Sequence, residues 1–309
     1  MATETAATPY CAEVARAESA SLIGTGTRAM AFLLVEHRGE WGARAVDEND
    51  LPTAAQSWIG AETAALGEQL GGKARALLIR REAATTGPLA CFLAVTQETR
   101  RELYRFEVDS HEELPALSLS AGLAAGALGR HRSDQPLTLV CGNGHRDRCC
   151  ARFGVPTYRA LAAVEPEMTW LSTHQGGHRH AGTGLWLPEG VSYGYLQPGE
   201  APALLTARAG GAIHRRCFRG RTFHPEVAQA ADALLRQVLG EEALDPWRLQ
   251  SHRETAPGEW QIHLGGPAGD YLVRLDRGAE RALVSCSPAK EKSVDHFALR
   301  SWERLEEPR

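Results

Sequence analysis

The chain has 309 residues, of which 43% are hydrophobic and 23% charged, and its formal net charge is −4 at pH 7. This composition is typical of a folded globular protein, and the length suits two or three domains. The negative charge argues against a nucleic-acid-binding protein, which usually has a basic domain or stripe. No apolar run reaches the eighteen or so residues of a membrane span, so we expect no membrane partner.

The N-terminus shows no basic segment followed by an apolar core, so no secretory signal is predicted. The seven cysteines are odd in number and irregularly spaced, unlike an extracellular disulfide framework. Both features favour a cytoplasmic protein whose cysteines stay reduced or bind metal. One cluster stands out, and it contains Cys141, Cys149 and Cys150. We interpret the other four thiols as core packing: Cys11, Cys91, Cys217 and Cys286.

The first part of the chain predicts a strand, a helix, three strands and a second helix in that order. Ser110 and Glu113 have the spacing of a capping box, which predicts a helix from there to about Ala125. An alanine-rich helical arm precedes this series. The predicted elements are the arm up to residue 23, strands at 29–35, 74–80, 89–95 and 102–108, and a helix at 51–70.

A second series follows with the same order of elements. Its first strand ends directly in Cys141, and Pro-Glu-Gly joins its last two strands, which is a hairpin signal. The predicted elements are strands at 137–140, 168–172, 184–187 and 191–196, and helices at 150–164 and 198–210. The order of the elements therefore predicts two related β-α-β-β-α units, although their sequences show no repeat.

The last hundred residues have a different pattern. An amphipathic helix is predicted at 225–239, followed by short strands at 247–252, 260–264, 271–275 and 282–286. The sequence thus predicts an α/β (α+β) protein that ends in a helix and an antiparallel meander. We expect three domains, at 1–130, 131–212 and 213–309.

Two short segments carry residues with metal-ligand chemistry. Cys141 follows a strand, and Cys150 lies near the start of the next helix, where the helix dipole stabilises a thiolate. His174 and His178 follow another strand, with two glycines between them that favour a loop. Thiolate and imidazole together are the ligands of zinc sites and of mixed-ligand iron–sulfur clusters. Spacing alone leaves both metals open.

Three motifs in this region resemble those of the sucrase/ferredoxin-like family, which belongs with the thioredoxin-like 2Fe–2S ferredoxins. They are Cys141-x-x-x-His-Arg-Asp-x-Cys-Cys150, Ser172-Thr-His-Gln-Gly-Gly-His178-Arg, and the segment Leu-Pro-Glu-Gly-Val-Ser-Tyr-Gly-Tyr-Leu that begins at Leu187. The resemblance is strongest over 137–200 and weak after about residue 220. It implies two thioredoxin-like units, of which the first lacks the cluster motif.

The resemblance also implies a set of ligands. Cys141, Cys150, His174 and His178 would ligate a 2Fe–2S cluster. Cys149 would be a neighbouring thiol outside the ligand set, able to replace Cys150 if that residue were lost. We assign Cys149 and two further histidines to the surroundings of the cluster: His145 and His180.

These ligands imply a one-electron carrier or redox sensor rather than an enzyme, and we assign no catalytic residue. Neutral imidazoles make the cluster less negative, which raises its potential, and their ring N–H groups allow proton-coupled electron transfer. We expect a redox donor and an acceptor protein as partners, and a homo-oligomer is compatible with this interpretation. No pair of acids suggests sugar hydrolysis. The alternatives are a structural Cys2His2 zinc protein and a thioredoxin-like thiol oxidoreductase using Cys149 and Cys150.

Overall fold

The computed structural model describes residues 9–83, 86–286 and 288–305, and this part of the chain is a mixed α+β protein, as predicted. Its helices are α1 (Cys11–Ala17), α2 (Thr53–Gln69), α3 (Leu119–Ala124), α4 (Arg148–Ala162), α5 (Ala201–Ala209) and α6 (Glu226–Leu239). Its strands are β1 (Ala31–Glu36), β2 (Ala74–Arg80), β3 (Leu89–Thr96), β4 (Arg101–Val108), β5 (Leu137–Cys141), β6 (Thr169–Ser172), β7 (Gly184–Leu187), β8 (Val191–Tyr193), β9 (Phe218–Arg221), β10 (Arg248–Ala256), β11 (Glu259–Gly266), β12 (Gly269–Cys286) and β13 (Ala289–Leu305). Short 3-10 helices lie at His111–Ala116, Gly129–His131, His178–His180, Pro198–Glu200 and Arg215–Cys217.

Nine strands form one sheet in the order β4-β3-β1-β2-β6-β5-β7-β8-β9. In its first half, β1 pairs parallel with β2 and antiparallel with β3, and β3 pairs antiparallel with β4. In its second half, β5 pairs parallel with β6 and antiparallel with β7, and β7 pairs antiparallel with β8. The two halves therefore repeat one strand order and one set of strand directions, in agreement with the predicted repeat of elements.

The two halves join where β2 and β6 pair antiparallel, through Ile79 with Ser172 and Arg80 with Leu171. One continuous sheet thus crosses the predicted domain boundary at residue 130. Strand β9, which the sequence did not predict, adds to the same sheet beyond the boundary at 212. The three-domain division stays a prediction.

Apolar side chains cover the sheet on two sides. Strand β1 is buried along its whole length, and its side chains alternate between two hydrophobic clusters. Leu33 lies in the larger cluster, together with Ile59 of α2, while Phe32 and Leu34 lie in the other. A strand buried on both faces has apolar residues at consecutive positions. This explains why apolar and polar residues do not alternate in the β1 segment.

The predicted capping box at Ser110 does not form. The side chain of Ser110 makes no capping hydrogen bond, and Glu113 Oε2 instead accepts one from the backbone N–H of Asp109 at 3.1 Å. The segment folds as a 3-10 helix containing Pro115, followed by the short α3. The predicted single helix was wrong, because a proline in a helix interior removes a hydrogen-bond donor and clashes with the preceding turn.

The C-terminal sheet has the order β10-β11-β12-β13 and packs against α6 through residues such as Leu235, Ile262 and Val273. Two predicted strands, at 271–275 and 282–286, are parts of the single strand β12. The predicted turn between them lies inside this strand, where Arg277 pairs with Phe297 and Gly278 with His296. Pairing with β13, which the sequence did not predict, therefore overrides the local turn preference. The β12–β13 hairpin ends beside α1 and the start of α4.

Candidate metal centre

The first half of the site is the end of β5 and the helix that follows it. Cys141 is the last residue of β5, and its backbone N–H donates to the Thr183 carbonyl at 3.0 Å. Helix α4 passes so close to this point that a Cβ on Gly154 would clash with the Cys141 carbonyl oxygen. A glycine is therefore required where the helix packs on the end of the strand.

Asp147 begins α4. Its carboxylate accepts a hydrogen bond from the backbone N–H of Cys149 at 2.9 Å, as an N-cap residue does. Cys149 and Cys150 consequently lie in the first turn of the helix, and both thiols are buried. This agrees with the expectation that Cys150 lies near a helix N-terminus, although the expected stabilisation of its thiolate is outweighed, because contact with Cys141 and burial raise the pKa of Cys150.

The second half of the site is the loop after β6. Gly176 and Gly177 have φ angles of 103° and 75°, in the region that favours glycine. A Cβ on Gly177 would clash with the guanidinium of Arg219. The two glycines therefore let the chain turn tightly between His174 and His178.

Side chains from two other segments hold the carbonyl groups of this loop. Arg75 of β2 donates to the carbonyls of His174 at 3.1 Å and Gln175 at 3.0 Å. Arg219 of β9 donates to the carbonyl of Gly176 at 3.2 Å. The sequence analysis missed both arginines, because nothing in their own segments distinguishes them from surface arginines.

Three of the four predicted ligands converge. The Nδ1 atom of His174 lies 3.9 Å from Cys141 Sγ and 3.7 Å from Cys150 Sγ, and the three donor atoms lie within 4.8 Å of one another. The fourth, His178, stacks on His174 with 5.0 Å between ring centroids and 30° between ring planes. The fold thus brings together residues from two loops that are separated in the sequence.

The ring of His178 is oriented by the C-terminal hairpin. It makes a hydrogen bond with the backbone of Val284, while its Nδ1 is buried and has no hydrogen-bond partner. The Nδ1 atom therefore remains available to a metal. Burial, together with the nearby His174, lowers the pKa of His178, which favours the neutral ring that a metal requires.

The pKa values of the two thiols of the site are shifted in opposite directions. A hydrogen bond from Cys150 and contact with His174 lower the pKa of Cys141 well below its usual value, although burial opposes this. The same hydrogen bond and burial raise the pKa of Cys150 well above its usual value. A thiolate at Cys141, next to a thiol at Cys150, is a donor pair that a cation would complete by displacing one proton.

The surroundings of the donors are positively charged. Burial lowers the pKa of Arg219 to about 10, and the charge of Cys141 acts in the opposite direction. Burial also lowers the pKa of Arg75, again opposed by Cys141. Arginine side chains stay protonated in proteins, and the position of these two favours negative charge on the thiolates and on anything these bind.

The three residues assigned to the surroundings of the cluster differ in position. His145 is exposed, whereas His180 is buried, and burial lowers its pKa well below the usual value. The ring of His180 packs edge-on against Tyr195. Cys149 lies outside the group of Cys141, Cys150 and His174, and its thiol is 3.5 Å from those of Cys11 and Cys286.

The donors fit a metal centre. Two thiols, the Nδ1 of His174 and the unpartnered Nδ1 of His178 match the ligand types of zinc and of mixed-ligand iron–sulfur clusters. His174 and His178 are partly exposed at the edge of the site.

Within the described residues, no helix is long and apolar enough to cross a membrane.

Comparison with known proteins gives one match. The family model described as sucrase/ferredoxin-like matches residues 22–220, which is more than half of the chain and includes Cys141, Cys150, His174 and His178. Neither a curated protein nor a solved structure matches significantly. The chain belongs to the sucrase/ferredoxin-like family.

Proposed function

We propose that this chain is a one-electron carrier in which Cys141, Cys150, His174 and His178 hold a 2Fe–2S cluster. The convergence of two thiols and the His174 ring, with donor atoms within 4.8 Å of one another, supports this proposal most directly. The buried Nδ1 of His178, which has no hydrogen-bond partner, supplies a fourth donor. Family membership supports the choice of iron and sulfide over other metals.

A cluster with this ligation, when bound, supplies a reversible one-electron redox couple. Residues of the chain would set the reduction potential of the cluster. Two neutral imidazoles carry less negative charge than two thiolates, and Arg75 and Arg219 add positive charge nearby, so both features raise the potential. The ring proton of His178, which lies beside the Val284 backbone, is one that a change of cluster charge would affect.

The partly exposed histidine side suits exchange with redox partner proteins. The thiols of Cys141 and Cys150 are 1% exposed, whereas His174 and His178 are partly accessible to solvent. Electrons would therefore enter and leave through the imidazole side. The proposed partners are a redox donor protein and an acceptor protein.

A mononuclear zinc site is the second candidate. The donor atoms of Cys141, Cys150 and His174 lie close enough together for a single ion, and zinc takes this ligand set. Such a site would be structural rather than redox-active.

Anaerobic purification followed by iron, sulfide and zinc analysis separates the two candidates. The cluster proposal predicts a red-brown protein with about two irons and two sulfides per chain, and an EPR signal on one-electron reduction. A colourless protein without iron from anaerobic, iron-supplemented expression would contradict it. Zinc that disappears in a Cys141→Ala variant would then assign this site to zinc.

A further inference from the structure

A second group of donor residues lies beside the proposed cluster site and takes no part in it. It consists of Cys11, Asp147, Cys149 and Cys286, whose donor atoms all lie within 4.8 Å of one another. All four residues are buried, and Cys286 is the most exposed, at 5%. We call these residues the Cys3Asp group.

Four distances within the group can be compared with those of a tetrahedral metal site. Cys149 Sγ lies 3.5 Å from Cys11 Sγ and 3.5 Å from Cys286 Sγ, and Asp147 Oδ1 lies 3.9 Å from Cys11 Sγ and 2.9 Å from Cys286 Sγ. Tetrahedral zinc, with bonds of about 2.3 Å to sulfur and 2.0 Å to oxygen, requires separations of about 3.8 Å between sulfurs and 3.5 Å between sulfur and oxygen. The two sulfur–sulfur distances and the Asp147–Cys11 distance lie within about 0.4 Å of these values, and the Asp147–Cys286 distance is shorter.

The carboxylate is oriented as a ligand usually is. Asp147 Oδ1 faces the thiols, while Oδ2 accepts hydrogen bonds from the backbone N–H of Cys286 at 3.0 Å and from Ser285 Oγ at 3.1 Å. Hydrogen bonds of this kind from the surrounding residues fix ligand geometry in metal sites. A carboxylate and three ionisable thiols are buried close together here, and a bound cation would neutralise their negative charge.

We propose that Cys11, Asp147, Cys149 and Cys286 bind one structural Zn²⁺ ion. Thiolates favour a soft ion over magnesium or calcium, and four protein ligands close the coordination sphere, as in structural sites. Binding releases the thiol protons to solvent and changes no oxidation state. A disulfide would need an oxidant, would leave the third thiol unpaired, and gives no role to the carboxylate.

The ion would join three distant parts of the chain. Cys11 lies in α1, Asp147 and Cys149 at the start of α4, and Cys286 at the end of β12. Val284, which orients His178, is two residues from Cys286. Zinc would therefore hold the end of the β12–β13 hairpin against the histidine side of the proposed cluster.

Metal analysis of the full-length protein tests the site. We expect Cys11→Ala and Cys286→Ala each to lose about one zinc per chain relative to the unmodified protein, with iron and sulfide retained. Cys91→Ala is the matched control, because Cys91 is a fully buried thiol outside the group. It should leave the zinc content unchanged.

A second measurement guards against variants that fail to fold. Protein expressed in zinc-depleted, cobalt-supplemented medium should show the visible absorption of tetrahedral Co²⁺ with thiolate ligands, and Asp147→Asn should weaken it. Zinc retained in folded Cys11→Ala and Cys286→Ala, or no zinc or cobalt in the unmodified protein, would overturn the proposal. So would an intact mass that shows a disulfide within the group in anaerobically purified protein.

The outcome is independent of the cluster proposal. Cys150→Ala addresses only the cluster site, and it should abolish iron and leave this zinc in place. If both sites held zinc, the Cys150→Ala and Cys286→Ala variants would each lose one ion. A failure of either proposal is thus distinguishable from a failure of the other.

Discussion

Cys149 and Cys150 are adjacent in the chain, but their thiols belong to different groups. Cys150 Sγ lies 3.7 Å from His174 Nδ1, whereas Cys149 Sγ lies 3.5 Å from the thiols of both Cys11 and Cys286. Successive residues of a helix point about 100° apart, so the first turn of α4 presents one thiol to each group. The proposed cluster and zinc sites therefore give the two thiols separate roles.

We expect single alanine substitutions to separate these roles. Cys150→Ala should abolish iron and sulfide binding, because it removes a ligand of the proposed cluster. Cys149→Ala should retain the chromophore and lose zinc. The thiol of Cys149 is held against Cys11 and Cys286, so it should not replace the lost ligand in Cys150→Ala. Visible absorption and metal analysis measure both effects, and iron retained in Cys150→Ala would contradict the assignment.

Replacing an imidazole by a thiolate should lower the reduction potential. His174→Cys adds negative charge to the proposed cluster, so we expect a lower midpoint and an absorption spectrum closer to that of an all-thiolate cluster. His145→Cys is the control, since His145 is exposed. Redox titration followed by visible absorption gives the comparison. An unchanged midpoint in an iron-replete His174→Cys protein would exclude His174 as a ligand.

Arg75 should raise the potential through its charge. Arg75→Gln removes the charge and keeps an amide that can donate to the loop carbonyls, so we expect the midpoint to fall by tens of millivolts. About 1.4 kcal/mol corresponds to about 59 mV for one electron. Arg75→Lys, which keeps the charge, should restore most of the difference. If both variants lowered the midpoint equally, the hydrogen bonds to His174 and Gln175 would be the cause.

Gly177 should be required for the tight turn between the histidines. Gly177→Ala places a Cβ at a φ of 75°, which costs about 1–2 kcal/mol, and adds a clash with Arg219. The midpoint temperature of thermal unfolding and the iron occupancy should both decrease. Gly211→Ala is the matched control, because Gly211 has a φ of 65° and a Cβ there would meet no neighbouring atom. If Gly211→Ala lost as much stability and iron as Gly177→Ala, or more, the Arg219 contact would be unimportant.

Acidification should destabilise the fold through His224. Burial lowers the pKa of His224 to about 4, against an ordinary value of 6.5. Between these two pH values the unfolded state binds more protons, so the free energy of unfolding falls as the pH falls, by up to about 3 kcal/mol. The charged and titratable groups that act on this ring are Asp232, Arg221, Arg101, His252 and Glu98.

Urea unfolding of the unmodified protein and of His224→Gln, measured at pH 7 and pH 4.5, tests this expectation. The variant cannot titrate at this position, so its loss of stability between the two pH values should be smaller. Equal losses in the two proteins would show that other groups dominate the acid response.

Local patterns predicted much of the large sheet. Strand β2 has the predicted bounds Ala74–Arg80, and the helices at 53–69 and 226–239 lie within one or two residues of their predicted limits. The strand that ends in Cys141 was also predicted, and the helix predicted at 150–164 lies at 148–162. These features depend on interactions between residues close in sequence, which a pattern can represent.

The sequence by itself determined the local elements and the four candidate ligands. Strand ends, helix starts and glycine pairs depend on residues that are close together in the sequence. Only the tertiary structure decided which donors meet. Cys11 and Cys286 lack any local motif, and they join Cys149 across separations of 138 and 137 residues. The long β12–β13 hairpin places Cys286 beside Asp147. Local turn residues had instead predicted a break within β12. Contacts between distant segments depend on strand pairing and packing, so no short pattern contains them.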